Sequence, residues 1–479
     1  MSVLGVTMQP SMVPSGSILI GPDVFLQQAT LAKQQNDAVG ERQAWDHYYD
    51  ANQRNINRLR WSVQNSGTLA TLTFPALSPE TLLPETEIPN FRIYDAKNQK
   101  DPVFSEARLV RSKGDERNTD PDVNSVYDSL VQSLSFFLER LGLRSIDAKG
   151  MVVDAAVNLG QKYNNAYYYN GRIHFGDGDG EIFHNFVQDL TVVAHELGHG
   201  IVEMVLGGLT YWSQSGALNE HIADVLGISA LQYVLGEMSV PEASWLIGTT
   251  AMVPYQDRSS GETISPALRS MSNPGTAYQN HPRIGSDPQS PTMKGYYRGS
   301  QDNYGVHINS GIPNHAFYLV ATAIGGYSFE TIIPIWIEAT KALSANPSFQ
   351  DFANATLKAA NNMFPERQDI REAIETAWTE VLVLGDDAIV IPRAYEIPQG
   401  EGRDDIIEIF GLDAQHIADM EQHVLSSALP TMEGVKRCQV GFVLDENNVA
   451  SLVCLAYVSP QSNIRLPENV NGLPVKTMY

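Results

Sequence analysis

With 479 residues the chain is long enough for two to four domains, and its 43% hydrophobic and 18% charged content is that of a soluble globular protein. Its 55 acidic against 32 basic residues leave a net charge of −23, which excludes the basic surface that nucleic acid or an anionic membrane requires. No stretch reaches the roughly 18 consecutive apolar residues of a membrane span, so neither nucleic acid nor membrane is an expected partner.

Residues 1–92 read as an N-terminal arm. Met1–Ser17 has no basic residue ahead of an apolar run, so no secretory leader is read there. The expected location is the cytoplasm, or outside the cell by a route that uses no such leader. Ser17-Ile18-Leu19-Ile20 reads as a strand or an extended plug, and Asp23 to Asn57 as polar helix anchored by Leu26, Leu31 and Trp45. The proline-rich stretch Leu77 to Pro89 reads as a linker. An arm closed by a linker has the organisation of a prosegment, and its expected contact is the protein's own cleft.

From Phe91 the texture changes. Arg92–Asp95 and Ala107–Arg111 alternate like strands, Asp122 to Leu141 has helical spacing up to Gly142, and Met151–Asn158 and Ile173–Phe175 are strand-like. The run Gly176-Asp177-Gly178-Asp179-Gly180 must turn tightly, because alternate glycines supply backbone angles that other residues avoid. Its alternating Asp residues lack the spacing of an EF-hand loop, so a structural turn is the first reading and calcium the second.

Beyond residue 190 the pattern is helical. Helices are expected over Thr191–Leu206, Ala217–Leu235, Ile312–Ile324, Phe329–Leu343, Phe349–Asn362 and Arg367–Leu384. The fold class is therefore α+β, with a β-rich lobe over 93–206, an α-helical lobe over 207–384, and a cleft expected at their junction. After a linker at 385–395, residues 396–479 read as a small α+β unit. It has a helix at Asp413–Leu429 and strands at Gln439–Leu444, Ala450–Val458 and Leu473–Met478. His416 and His423 in that helix have no convergent partner and read as surface residues. Cys438 and Cys454 lie in the strands flanking Asp445–Asn448. They would form a disulfide only if the loop set them opposite one another, and two free thiols are the preferred reading.

Val192 to Gly200 carries the chemistry. His195 and His199 are four residues apart, about 40° around a 3.6-residue helix, so both imidazoles reach one ion. Glu196 points to one side of that pair and is placed to act on a metal-activated water without being a ligand itself. One helix supplies only two adjacent ligands, so a third must come from elsewhere. Glu220 suits that role, with Asn219 and Asp224 beside it. Three polar groups on an otherwise apolar helix are costly unless satisfied, and Asp224, one turn on, can hold a ligand imidazole by its free N–H.

His195-Glu196-xx-His199 followed by Gly216-Ala217-Leu218-Asn219-Glu220-xxx-Asp224 resembles the thermolysin family of zinc endopeptidases. Asn164–Tyr167 ahead of the glycine-rich turn is similar to that family's substrate-edge strand, and Gly305–Ile312 to its catalytic histidine segment. The likeness runs from about Ile93 to Leu384, and implies a two-lobed peptidase with the metal helix between its lobes. It implies that His195, His199 and Glu220 hold zinc, that Glu196 moves the proton, and that His307 and Tyr211 donate to the oxyanion. Asp302 would orient His307, and Asp224 and Asn219 would steady the ligand imidazoles. Asn165, the Ala166 carbonyl and Arg269 would hold the substrate strand, Arg269 through the carbonyl just beyond the cut. Phe183, Phe186, Val192, Ile247 and Leu268 would line the pocket for the residue after the cut. All five are apolar, which implies endopeptidase cleavage on the amino side of bulky apolar residues.

Where the family binds paired calcium ions through carboxylates, this chain has Thr191, Leu231, Ser244, Leu246, Thr249 and Thr250. Calcium is therefore expected to be absent from that site, with Leu231 and Leu246 packing into its space. The arm without a leader is similar to the protealysin-like subgroup, a zymogen organisation, although the subgroup's Pro-Pro element is not evident around Ile18–Leu26. If the arm is cut, the Leu83–Arg92 region is the exposed candidate. The rival readings are a catalytically silent metal-bearing binding protein, opposed by the intact set Glu196, His307 and Tyr211, and an aminopeptidase, which would need an acidic group for the substrate's free amine.

Overall fold

The computed structural model describes residues 17–65, 85–99, 107–257, 259–400, 402–459, 464–470 and 472–478. The expected linker lies outside them up to position 84. The N-terminal lobe is built on a six-stranded sheet in the order β1-β5-β6-β4-β2-β3. Its strands are β1 (Ser17–Ile18), β2 (Phe91–Asp95), β3 (Arg108–Ser112), β4 (Val153–Leu159), β5 (Ala166–Tyr169) and β6 (Arg172–Gly176). β4 lies between two parallel neighbours, β2 and β6, and its run of buried residues follows from that central place.

The arm does not stand apart from this sheet. β1 pairs antiparallel with β5 and forms the edge of the sheet. Helices α1 (Pro22–Gln34) and α2 (Ala38–Asn65) follow it, so the polar stretch after Asp23 forms two helices rather than one. Across the sheet lies α3 (Pro121–Leu141), capped by the Asp120 side chain on the Asp122 N–H and stopped at Gly142 with φ 65°.

The glycine-rich turn is held by protein amides. Asp179 Oδ1 accepts from the N–H of Glu181 at 2.8 Å and of Ile182 at 2.7 Å. Gly178 has φ 70°, and a Cβ there would meet the Phe183 carbonyl at 2.3 Å. The structural-turn reading therefore accounts for Asp179 and Gly178.

Two helices carry the metal motif: α4 (Leu190–Met204) and α5 (Ser213–Leu235), both buried along almost their whole length. They cross closely because each places a glycine at the contact. A Cβ on Gly198 would lie 2.9 Å from Ala223 Cα, and one on Gly227 would lie 2.7 Å from the Thr191 carbonyl. This close approach lets a carboxylate of α5 reach imidazoles of α4. α5 starts at Ser213, earlier than the sequence pattern suggests, because extended Trp212 serves as its N-cap. Short strands follow: β7 (Leu246–Ile247) pairs with β10 (Arg269–Ser270), and β8 (Tyr255–Gln256) with β9 (Thr263–Ile264). The helical lobe continues with α6 (Gln301–Asn309), α7 (Gly311–Ile324), α8 (Ser328–Lys341), α9 (Phe349–Met363) and α10 (Gln368–Glu380).

The C-terminal unit is a sheet in the order β11-β12-β13-β15-β14 with two helices. Its strands are β11 (Ala394–Glu396), β12 (Val435–Leu444), β13 (Ala450–Val458), β14 (Asn469–Val470) and β15 (Leu473–Met478), and its helices α11 (Arg403–Ile409) and α12 (Ala414–Ser426). β11 begins inside the stretch expected as linker, because Ala394 to Glu396 complete the ladder against β12. The register sets Cys438 opposite Ala456 and Cys454 opposite Val440, so the thiols are free and not cross-strand partners. This unit shares a core with the rest of the chain. Leu59 of α2, Trp212 and Tyr304 lie in one apolar cluster with Tyr395, Phe410 and Phe442.

Trp212 is 3% exposed and has four aromatic rings within 6.5 Å of its own. Trp212→Ala should lower the unfolding free energy by about 3–5 kcal/mol in a denaturant titration, and Trp212→Phe by clearly less.

Candidate active site

The stretch Val192 to Gly200 lies within a helix whose first turn is secured by Asp189. That side chain accepts from the Thr191 N–H at 2.9 Å. His195 and His199 project from one face, with their Nε2 atoms 3.0 Å apart and their rings nearly perpendicular at 86°. Glu220 comes in from α5, with Oε2 3.5 Å from His195 Nε2 and Oε1 3.4 Å from His199 Nε2. One atom from each of the three lies within 4.8 Å of the other two.

The outer ring nitrogens are committed elsewhere. His195 Nδ1 donates to Asp224 Oδ1 at 2.9 Å, and His199 Nδ1 donates to Asn219 Oδ1 at 2.8 Å. This leaves both Nε2 lone pairs facing the Glu220 carboxylate, the arrangement of two neutral imidazoles prepared for a cation. Burial, then the neighbouring His195, hold the His199 imidazole well below its ordinary protonation range. Both Glu196 oxygens and Glu220 Oε2 are buried without a hydrogen bond among the described residues. Burial, then the charge of Glu220, push the Glu196 carboxyl well above its usual range. Buried carboxyl groups gathered around two imidazole nitrogens are costly in isolation, and a divalent cation resolves that cost. The donor set of two nitrogens and a carboxylate fits zinc.

Asp224 is held from four directions. Arg269 donates through Nε at 2.8 Å and Nη2 at 2.6 Å, and Asn314 Nδ2 donates at 2.9 Å, besides the His195 bond. Burial would raise this carboxyl, but the Arg269 charge and the His195 N–H outweigh it and hold Asp224 well below the carboxylate range. Asn314 was not evident from sequence, and its one signal there is a carboxamide inside the apolar helix α7.

Opposite the imidazoles, Tyr211 Oη donates to Glu220 and lies 3.3 Å from His307 Nε2. Burial, then Glu220, raise the Tyr211 hydroxyl well above its ordinary range. His307 Nδ1 donates to Asp302 Oδ1 at 2.6 Å, and the His307 N–H donates to Asp302 Oδ2 at 2.8 Å. Asp302, Asn303, Tyr304 and Gly305 form a left-handed turn with φ of 55°, 47°, 65° and 76°. Such a turn is unfavourable for L-residues and needs outside support. Asn303 Nδ2 supplies it by donating to the carbonyls of Asn55 and Tyr211, and Tyr304 Oη by donating to the Glu396 carbonyl.

The predicted strand-holding groups are all engaged, and their partner is the arm. Ala166 O accepts from the Leu19 N–H at 3.0 Å, and Asn165 makes a two-way bond with Ile20 N–H and C=O. Arg269 Nη1 donates to Leu19 O at 3.0 Å. Phe183 and Leu268 line a hollow with Leu19, Ile20 and Met252. Phe186, Val192 and Ile247 are fully buried in the same apolar cluster rather than on that lining. Further along the arm, Asn55 donates to Asp302, and Arg58 pairs with buried Glu203 and lies over the Tyr211 ring.

Where calcium ligands were sought, the correction concerns packing. Leu246 is 38% exposed and does not fill the space, because the two-residue strand β7 turns it outward. Asp189 instead draws that region together, with its two oxygens accepting from Thr191 and Thr250.

The chain matches the thermolysin metallopeptidase catalytic domain over residues 80–203 and the thermolysin metallopeptidase alpha-helical domain over residues 207–383. "Protease PrtS" of Photorhabdus sp. is 40% identical over 293 residues, covering 60% of this chain and 75% of the relative. An "Extracellular metalloprotease" of Pectobacterium carotovorum is 40% identical over 309 residues, 64% of this chain and 84% of the relative. The solved precursor of protealysin, a metalloproteinase from Serratia proteamaculans, superimposes with a TM-score of 0.60 at 33% identity, covering 77% of this chain and all of that one.

The chain belongs to the thermolysin family. It is a zinc metalloendopeptidase of that family, with peptides or proteins as substrates. Among the described residues no helix is long and apolar enough to cross a membrane.

Two expectations follow for this thermolysin-family site. Asp224→Ala removes the anchor of His195 and strands the Arg269 charge. It should cost about 3–5 kcal/mol of stability in denaturant titration and weaken zinc binding by about 10–100-fold in a competition titration. Asp23 is the second case. It is buried beside Asp302, His307, Asp287 and Tyr278, its Oδ1 has no hydrogen bond, and burial followed by the Asp302 charge pushes its carboxyl up to about 7. A folded value above the unfolded one means that this proton stabilises the native state below pH ~4, and that the contribution is lost as pH rises towards 7. The melting temperature of Asp23→Asn relative to the parent should therefore climb between pH 5 and pH 8.

Proposed function

We propose that this enzyme cuts peptide bonds on the amino side of bulky apolar residues, and that residues 1–92 keep it latent as a prosegment. The carrying observation is the meeting of His195, His199 and Glu220 within 4.8 Å, with both oxygens of the neighbouring Glu196 buried. Zinc held by those three would polarise the scissile carbonyl and make a water acidic. Glu196 would take a proton from that water and deliver it to the leaving nitrogen. His307 and Tyr211 would donate to the oxygen that gains charge, with Asp302 fixing the imidazole, and Asp224 and Asn219 holding the ligand rings in place. Asn165, Ala166 and Arg269 would bind the substrate backbone. Phe183 and Leu268 would meet its side chain, with Phe186, Val192 and Ile247 packed in the same cluster.

The two lobes, 93–206 and 207–384, would then be the catalytic unit, followed by the linker at 385–395 and the accessory domain at 396–479. We assign that last domain a bracing role, on the support of its contacts to Trp212, Tyr304 and Leu59. The threonines bonded to Asp189 support independence from calcium at the family's paired site. The name of the Pectobacterium relative supports action outside the cell.

The test is metal content together with cleavage of an end-blocked peptide by protein whose arm an added protease has cut in the Leu83–Arg92 region. Glu196→Gln should retain one zinc and lose about a hundredfold to ten-thousandfold in turnover. Equal turnover in both proteins would end this reading. A calcium-selective chelator, at a level that leaves zinc bound, should not move the thermal midpoint.

A further inference from the structure

The arm lies in the cleft as a substrate would, and its alignment can be read residue by residue. β1 runs antiparallel to β5, with Ser17 opposite Tyr168 and Ile18 opposite Tyr167. Leu19 N–H then donates to Ala166 O, Arg269 donates to Leu19 O, and Asn165 brackets Ile20. Under the proposed function, Arg269 grips the carbonyl of the residue immediately after the cut. That residue is Leu19, which is apolar and 1% exposed, in one cluster with Phe183, Ile247 and Leu268.

We propose that the Ile18–Leu19 peptide bond is a cleavage site, placed by the fold in the enzyme's own cleft as its first substrate. The inference rests on the proposed function and adds a specific bond to it. Leu19 is not proline, so the amide has a normal N–H and a normal leaving nitrogen. Tethering by α1 makes the encounter intramolecular, which replaces a binding equilibrium by a high effective concentration. In the step, the oxygen of water bonds to the Ile18 carbonyl carbon and the C–N bond to Leu19 breaks. One proton of the water passes through Glu196 to the Leu19 nitrogen. The products are a peptide ending in the Ile18 carboxylate and a chain beginning at Leu19. Asn55 and Arg58 hold α2 over Asp302, Glu203 and Tyr211 independently of that bond, so the cut shortens the arm without dislodging it.

The experiment incubates the full chain with zinc at several protein concentrations and reads intact mass and N-terminal sequence. An end-blocked peptide is assayed in parallel. The expected result is a new N-terminus at Leu19, at a rate that does not vary with concentration, and none in Glu196→Gln. Leu19→Met should keep the cut, and Leu19→Asp should slow it at least tenfold. In metal-free protein, hydrogen exchange should show the Leu19 and Ile20 amides protected, and Leu19→Asp should remove that protection. If the blocked peptide is cleaved while Ile18–Leu19 stays whole, or the only cut falls in the Leu83–Arg92 region, this inference is wrong and the proposed function stands. If neither is cleaved, this inference is wrong, and the proposed function falls with it only if the blocked peptide also survives protein whose arm an added protease has cut in the Leu83–Arg92 region. Unprotected Leu19 and Ile20 amides in the parent protein would also overturn the alignment.

Discussion

A fully buried carboxylate must be matched by donors on every side, and at Asp224 this requirement organises the centre of the molecule. One imidazole, one guanidinium and one carboxamide all converge on it, each from a different element. Helix α4 brings His195, strand β10 brings Arg269, α7 brings Asn314, and α5 carries Asp224 itself. The position of His195, a proposed metal ligand, is thereby tied to Arg269, the group proposed to grip the substrate backbone. Neither can shift without leaving a charge unpaired in a medium that penalises it heavily.

A second constraint lies on the other side of the cleft. Four consecutive residues with positive φ would not hold a left-handed turn by themselves. They are held because Asn303, Tyr304 and Asp302 each bond to a different part of the chain: the Tyr211 segment, the C-terminal sheet and the arm. His307 is therefore positioned by long-range contacts, and the accessory domain takes part in holding the loop that bears it. The arm has a double place in this arrangement. Its extended start engages the strand-holding groups, and its second helix packs on the turn and on the ring of Tyr211.

Much of this was legible beforehand, for local reasons. The pairing of His195 with His199 depends only on the pitch of a helix, and the polar trio in α5 stands out because its other positions are apolar. The helices from α4 to α10, apart from α6, appear at their expected places within a few residues, since apolar spacing is set by neighbours in sequence. Other features gave no such signal. Asn55 and Arg58 read as ordinary polar residues of a polar helix, and nothing near them in sequence marks Asp302 or Glu203 as partners. Leu246 was read as filling, yet a two-residue strand turned it outward. Asp189 has no sequence signal beyond its place before a helix, and it gathers Thr250 from 61 positions away.

The amino-acid sequence by itself determined the helix that bears His195 and His199, the place of Glu196 beside them, the buried polar trio of α5 and the order of the lobes. All of these follow from periodicity and from residue chemistry within a few turns. Only the tertiary structure decided which residues of the arm meet Arg269 and Asn165, how the turn before His307 is supported, and that residues 396–479 share a core with the arm. Those outcomes are pairings between groups 92 or more positions apart. Their free energy comes from burial and mutual satisfaction of polar atoms, which no short stretch of the chain contains.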